Sequence, residues 1–277
     1  MKLSIFTTMT NPDSRNDPWR EALSCYEFFA DEVVTTGSDW PREFKWSDIG
    51  NYFQEGLEKS NGDWNIRMDI DYFFHEKDRS KLFKYLKKYS NYPLVCFPQY
   101  QFYTTDRFQV KTRLCVGVNK KFKKNIKLNG GGDLCLATFN GELVNPNTVP
   151  NIPVPIYQYD SLFRTKKIIK LDRARFARAW HREFGNFGNR GEGDEESSYI
   201  AWFNDVKSKY PKHVHKFNFE NHPIFIKKSL DKLTKNQFGY NAFGLKNSWK
   251  SSPKDYLKGY RAFYLDTLIN NLNKNKF

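Results

Sequence analysis

The sequence predicts an α/β protein built on a mostly parallel sheet with an antiparallel edge, and three observations carry that expectation. Strand-like and helix-like segments alternate βαβαβ through about the first 70 residues with short loops between them, the order that gives parallel strands and right-handed crossovers. Residues 108–118 then change rhythm: Phe108, Val110, Thr112, Leu114, Val116 and Val118 point one way, as in an antiparallel strand with one wet face. Finally, 277 residues of which 17% are aromatic can bury one substantial core, and an aromatic content that high argues against disorder.

Residues 3–7 form a short apolar strand followed by a turn-rich loop at 11–17. Asp17 before Pro18 is a helix start, a capping carboxylate with proline at the first helical position. Trp19, Ala22, Leu23, Tyr26 and Phe29 recur at steps of three and four and give that helix one apolar face. A second strand at 32–36 ends at Gly37. A helix starting at Ser47 or Asp48 carries Ile49, Tyr52, Phe53, Gly56 and Leu57 on one stripe, and Asn61-Gly62 stops it. The third strand, 63–68, places Trp64, Ile66 and Met68 on one face and Asn65 and Arg67 on the other. Beyond it the pattern predicts a helix near 78–86, strands at 93–97 and 134–139, an irregular proline-rich loop at 145–155 and a basic helix at 172–183. A glycine-rich stretch at 185–194 and a helix at 195–208 follow, then a strand at 215–219 and a helix at 224–233. These segments divide into a domain over 1–220 and a helical, basic C-terminal extension over 221–277.

Lys and Arg number 45 against 31 Asp and Glu, a net +14 that invites an anionic partner: nucleic acid, acidic lipid or a phosphorylated small molecule. Five Lys in 119–127 and eight Lys or Arg in 164–182 read first as solvated faces, with peripheral contact to an anionic surface as the functional alternative. Cys25, Cys96, Cys115 and Cys135 are widely spaced with no CxxC pair, so neither a disulfide framework nor a zinc cluster is expected, and a reducing, cytoplasmic setting is. No apolar run approaches the roughly 18 residues of a membrane span, and the first residues lack a signal-peptide core.

The sharpest chemical signal is Met68-Asp69-Ile70-Asp71. Two carboxylates two residues apart sit at the carboxyl end of a predicted central strand, where open parallel sheets bind ligands. Such a pair can reach one hard cation while diphosphate oxygens fill its other positions; the lesser alternative is a solvated strand exit. Arg67 beside it either neutralises phosphate or pairs with Asp63.

Strand, helix, strand, helix and then Ser60-Asn61-Gly62-Asp63-Trp64 leading to Asp69-Ile70-Asp71 resembles the nucleotide-sugar half of family-two-type inverting glycosyltransferases with the GT-A fold. The resemblance covers about residues 1–80, and it departs from the family after the second strand, where Thr35-Thr36-Gly37-Ser38-Asp39 stands in place of an acidic pair. It implies a GT-A, Rossmann-like sheet and a hexosyltransferase-type glycosyltransferase. The donor would be a nucleotide-diphosphate sugar used with Mn²⁺ or Mg²⁺, and the acceptor a glycan, lipid or protein. Position by position it implies Asp69 at the ribose or metal-bound water, Asp71 as direct metal ligand, Thr7 and Thr8 along the nucleotide, and the base or ribose contact passed to Asp39.

Inverting transfer needs a carboxylate that deprotonates the acceptor. The resemblance implies an acidic pair opening a helix, which Asp194, Glu195 and Glu196 supply; Asp160 in Tyr157-Gln158-Tyr159-Asp160 is the alternative, and the trio also suits a helix dipole. His213, His215 and His222 lie close in sequence without a fourth zinc partner, and His222 is the candidate for an additional metal ligand late in the chain. P-loop, GxSxG, GxGxxG and HExxH patterns are absent, and Gly130-Gly131-Gly132-Asp133 reads as a turn. Two other functions compete with this one. A sugar-activating nucleotidyltransferase would carry glycine in the loop after the first strand, which Thr10-Asn11-Pro12-Asp13-Ser14 lacks. A basic nucleic-acid-binding module has charge and aromatics for it but no RRM, KH or helix-turn-helix pattern.

Overall fold

The computed structural model describes residues 1–131 and 136–257. In chain order these hold β1 (Leu3–Thr8), α1 (Pro12–Arg15), α2 (Trp19–Phe29), β2 (Glu32–Thr36), α3 (Trp46–Lys59), β3 (Trp64–Arg67), β4 (Tyr72–Phe73), α4 (Arg79–Lys88), β5 (Leu94–Thr104) and β6 (Arg107–Asn119). Then come β7 (Ile126–Gly131), β8 (Leu136–Phe139), β9 (Glu142–Leu143), β10 (Ile156–Gln158), α5 (Lys166–Phe184), α6 (Glu195–Lys209), β11 (His215–Lys216), α7 (Ile224–Asp231), α8 (Phe238–Asn241) and α9 (Leu245–Ser248).

The main sheet runs β2-β1-β3-β6-β5-β10-β4, with β11 added to β6, and β7, β8 and β9 form a small second sheet. This is an α/β fold with a parallel, Rossmann-like half and antiparallel strands beyond it. β1 pairs in parallel with both β2 and β3, as the βαβαβ order requires. β6 is antiparallel to β3 and to β5, and it sits inside the sheet instead of at its edge. The reason is burial: Val116 and Val118 are covered and Gly117 packs against Val95, so the strand that alternates like a half-wet one has protein on both faces near its end. Pairing resumes in parallel between β5 and β10.

Successive residues of a strand serve opposite faces. Leu3, Ile5, Trp64, Ile66 and Met68 pack into a core closed by α2, α4 and α7. Phe6 turns to the other face, into a core of Trp40, Trp46, Phe53, Leu57 and Ala179 beneath α3, α5 and the small sheet. α7 returns to α2, where Ser229 Oγ donates to Glu21 at 2.5 Å. Gly62 has no room for a side chain: a Cβ there would lie 2.5 Å from the Ser4 nitrogen and 2.6 Å from the Trp64 carbonyl oxygen.

Several local expectations differ from the structure. Asp17 does not cap α2, whose first turn has no side-chain cap, because its carboxylate turns inward to Arg164. α5 begins at Lys166, six residues before the expected start, with Thr165 Oγ1 accepting from the Ile168 amide at 3.3 Å. Cys25, Cys96 and Cys115 form no disulfide with one another, while Cys135, Gly132, Asp133 and the tail beyond 257 lie outside the described residues. No helix among the described residues is long and apolar enough to cross a membrane.

Candidate active site

A cavity of about 560 Å³ opens at the carboxyl ends of β1 and β3 and extends over β6, β5 and β10, with α5 and α6 as its far wall. One end is aromatic, with Trp40, Trp46, Phe53 and Phe176; the middle and far end are densely charged.

Asp69 and Asp71 line the middle, on the turn that leaves β3. That turn is held by the backbone: the Tyr72 amide donates to the Asp69 carbonyl at 2.8 Å and the Tyr159 amide to the Asp71 carbonyl at 3.0 Å. The buried Tyr26 hydroxyl reaches the Asp69 carbonyl at 2.5 Å from below. The two carboxylates are therefore placed by main-chain contacts and aim into open space. Asp160, at the end of β10, faces the same space. Burial pushes the Asp71 carboxyl well above the usual range, the charges of Asp160, Asp69 and Asp17 add to this, and Arg164 offsets only part of it. Burial also raises Asp160, but Arg173, Arg164 and Lys111 outweigh it and hold that carboxyl below its ordinary value. Like charges this close raise one member and leave the other ionised.

Arg67 is buried against Phe53, its guanidinium carbon 4.1 Å from the ring centre, and pairs with Asp69 at 3.6 Å. The alternative pairing with Asp63 is not formed: that carboxylate accepts from the Lys2 amide at 2.7 Å.

Beneath the charged middle lies a network with little local signature in the sequence. Arg164 donates to Asp17 at 2.6 Å and to Asp172 at 3.1 Å. Arg15 lies 3.3 Å from Asp17 and 3.4 Å from Asp172, and Arg175 lies 3.7 Å from Asp172. Five charged groups from α1, its following loop, the loop after β10 and α5 thus share one buried cluster, which ties the segment after β1 to the loop carrying Asp160. Separation along the chain hides it; only the acids and arginines near 164–175 hint at it, and those also read as a solvated helix.

The other expected site residues are placed differently. Thr8 lines the cavity, but Thr7 is fully buried behind it. Asp39 is exposed and its neighbour Trp40 takes the cavity position. Asp194 caps α6, accepting from the amides of Glu196 and Ser197 at 2.9 Å each, and from the Ser197 hydroxyl. Glu196 pairs with Lys170, and neither it nor Glu195 lines the cavity. The acidic trio is thus spent on the helix N-terminus and its flank, since the face of α6 turned inward is that of Ser198, Ala201, Trp202, Asp205 and Lys209. His222 is no metal ligand either: it is completely buried, its Nε2–H donates to the Thr105 carbonyl at 2.8 Å, and its Nδ1 accepts from the Tyr159 hydroxyl at 2.7 Å.

A divalent cation is what the resemblance implies beside Asp69 and Asp71. Among the described residues no group of three or more His, Cys, Asp or Glu is arranged to hold a metal ion by itself. The donor set still suits one: Mg²⁺-type sites commonly use one or two carboxylates and complete the shell with water and substrate phosphate, and burial together with neighbouring carboxylates, offset only in part by Arg164, drives Asp71 toward neutrality.

No family model and no curated protein matches the chain. Among solved structures it is similar to S. aureus TarS 1–349, with 10% identity and a TM-score of 0.32 over 96% of this chain and 92% of that one. The same TarS fragment in complex with UDP-GlcNAc gives 10% identity and a TM-score of 0.34, over the same shares of the two chains. A longer S. aureus TarS chain gives 11% and 0.33, over 90% of this chain and 55% of that one. This likeness is too remote to assign any residue a role.

Proposed function

We propose that the chain is a metal-dependent glycosyltransferase that moves a sugar from a nucleotide-diphosphate donor to an acceptor hydroxyl with inversion. One observation carries the reading: Asp69, Asp71 and Asp160 line one cavity at the carboxyl end of the parallel strands, Asp69 and Asp71 on the turn from β3 to β4 and Asp160 just beyond β10, which pairs with β4. The nucleotide lies over β1 and β2, its base against the aromatic end near Trp40 and its ribose near Thr8 and Asp69. Asp71, with Asp69, would hold Mn²⁺ or Mg²⁺, which would supply positive charge to offset the negative charge of the diphosphate.

Asp160 stands on the acceptor side as the general base. Its carboxylate takes the proton of the acceptor hydroxyl while that oxygen bonds to the anomeric carbon. The bond from that carbon to the diphosphate breaks on the opposite face, and the electron pair leaves with the diphosphate. Arg173, 3.7 Å from the Asp160 carboxylate, and the Ser161 hydroxyl, which donates to it at 2.9 Å, keep it oriented and ionised.

Calorimetric titration of UDP, GDP and ADP in manganese and in EDTA tests the reading. One nucleotide should bind in manganese and lose at least tenfold in affinity in EDTA, and Asp71→Ala should erase that difference. Equal affinity in both conditions would refute metal-dependent donor binding.

A further inference from the structure

We propose that Cys96 and Cys115 form a reversible cross-strand disulfide, a thiol-switched brace at the centre of the main sheet. Cys96 lies on β5 and Cys115 on β6, neighbours in the middle of the strand order. The two strands are antiparallel, and their register sets Cys96 directly opposite Cys115. A regular ladder running on from Val95 opposite Gly117 would put Val116 there; the register steps at this point and brings Cys115 instead. Both cysteines pack into the core beneath α3 and α5, while Val95, Phe97, Leu114 and Val116 pack into the core on the other face. The two side chains therefore stand on one face of the sheet. Residues opposite each other in an antiparallel pair have Cα atoms about 4.5–5.5 Å apart, inside the range of about 4.4–6.8 Å that a disulfide spans, so side-chain rotation is enough to join them.

Access and chemistry fit a switch. Cys96 is completely buried, its thiol donating to the Pro146 carbonyl at 3.5 Å, whereas Cys115 is half-buried. The half-buried thiol is the one that a small-molecule disulfide such as glutathione disulfide reaches. The Cys115 thiolate attacks one sulfur of glutathione disulfide, whose S–S bond breaks and sends one glutathione off as thiolate with the electron pair. The Cys96 thiol then loses its proton to water, and its sulfur attacks the Cys115 sulfur and expels the second glutathione thiolate. Two protein thiols are oxidised to one disulfide, one glutathione disulfide is reduced to two glutathiones that take up the two protons, and excess glutathione runs the exchange backward. Cys25 stays outside the exchange: it is fully buried in the other core, and burial pushes its thiol far above the ordinary range.

The test holds the full chain in buffers of stepped glutathione disulfide to glutathione ratio. Each sample is quenched in acid, alkylated in denaturant and digested, and its peptides are mapped by mass spectrometry. A peptide pair joined through Cys96 and Cys115 should grow as the ratio rises and vanish on return to glutathione, with Cys25 alkylated throughout. Cys96→Ala should halt the exchange with one glutathione on Cys115. The cross-linked chain should melt about 4 °C or more above the reduced one, because the bond restricts the unfolded chain. Absence of the joined pair from the folded chain would overturn the proposal. So would Cys96 or Cys115 joined to Cys25 or Cys135 instead, or a pair that forms only after unfolding in guanidinium. A cross-linked chain that melts no higher than the reduced one would overturn the brace.

Discussion

Asp172→Asn is the sharpest test of what holds the cavity floor together. The substitution keeps the shape of the side chain and removes one negative charge from a carboxylate only 3% exposed, which three guanidinium groups surround at 3.1, 3.4 and 3.7 Å. Each such pair is worth about 4–5 kcal/mol at an effective dielectric of about 20. Repulsion among the arginines and the desolvation of every member offset most of that sum. What remains when one partner is removed is the cost of buried charge without compensation, about 3–5 kcal/mol. For a chain of this size 1 kcal/mol moves Tm by about 2–4 °C, so a loss of about 6–20 °C is expected near neutral pH. Burial alone would raise the Asp172 carboxyl, but Arg15, Arg164, Arg173 and Arg175 outweigh it and hold it well below its ordinary range. A depressed carboxyl stabilises the fold above its unfolded pKa of about 3.9, and that contribution is lost as pH falls toward the folded value. The parent and variant melting curves, followed by circular dichroism, should therefore separate at pH 7 and converge in acid. A variant that melts within 2 °C of the parent at neutral pH would show that the network does not brace the fold.

Three further outcomes are expected. Asp160→Asn should lower sugar transfer by about 10²–10⁴ while nucleotide affinity holds, and Glu195→Gln should turn over like the parent; the reverse pattern in a transfer assay would move the base to the α6 N-terminus. Asp71→Asn, an isostere without the charge, should bind nucleotide equally in manganese and EDTA, and retained metal dependence in titration would exclude Asp71 as a ligand. Burial pushes His213 down to about 3 and His222 down to about 4. A histidine depressed in the fold binds fewer protons there than in the unfolded chain, so stability is full above about pH 6.5 and falls as pH drops toward those values. The slope is at most about 1.4 kcal/mol per pH unit for each histidine. Thermal melts between pH 7 and pH 4.5 should show it, His222→Gln should remove about half of the slope and leave the His213 share, and a level parent profile would contradict it.

The sequence by itself determined the parallel half of the sheet and the place of its carboxylates. β1, α2, β2, α3 and β3 follow from periodicity, and Asp69 and Asp71 follow from where β3 ends, because strand and helix patterns are local and a ligand crevice lies at a fixed end of parallel strands. The tertiary structure alone decided the rest of the site. Asp194, Glu195 and Glu196 read equally as a base and as a helix N-terminus, and only the packing of α6 on α5, which turns Trp202 and Asp205 inward, places Asp194 as the cap and keeps all three out of the cavity lining. His222 looked available until the fold buried both its nitrogens against Tyr159 and Thr105. Arg15 and Asp17 meet Arg164 and Asp172 across some 147 residues of chain. No local period encodes such a meeting, because a charge is stabilised by whatever the fold brings within a few ångströms of it, and distance along the sequence does not enter that energy.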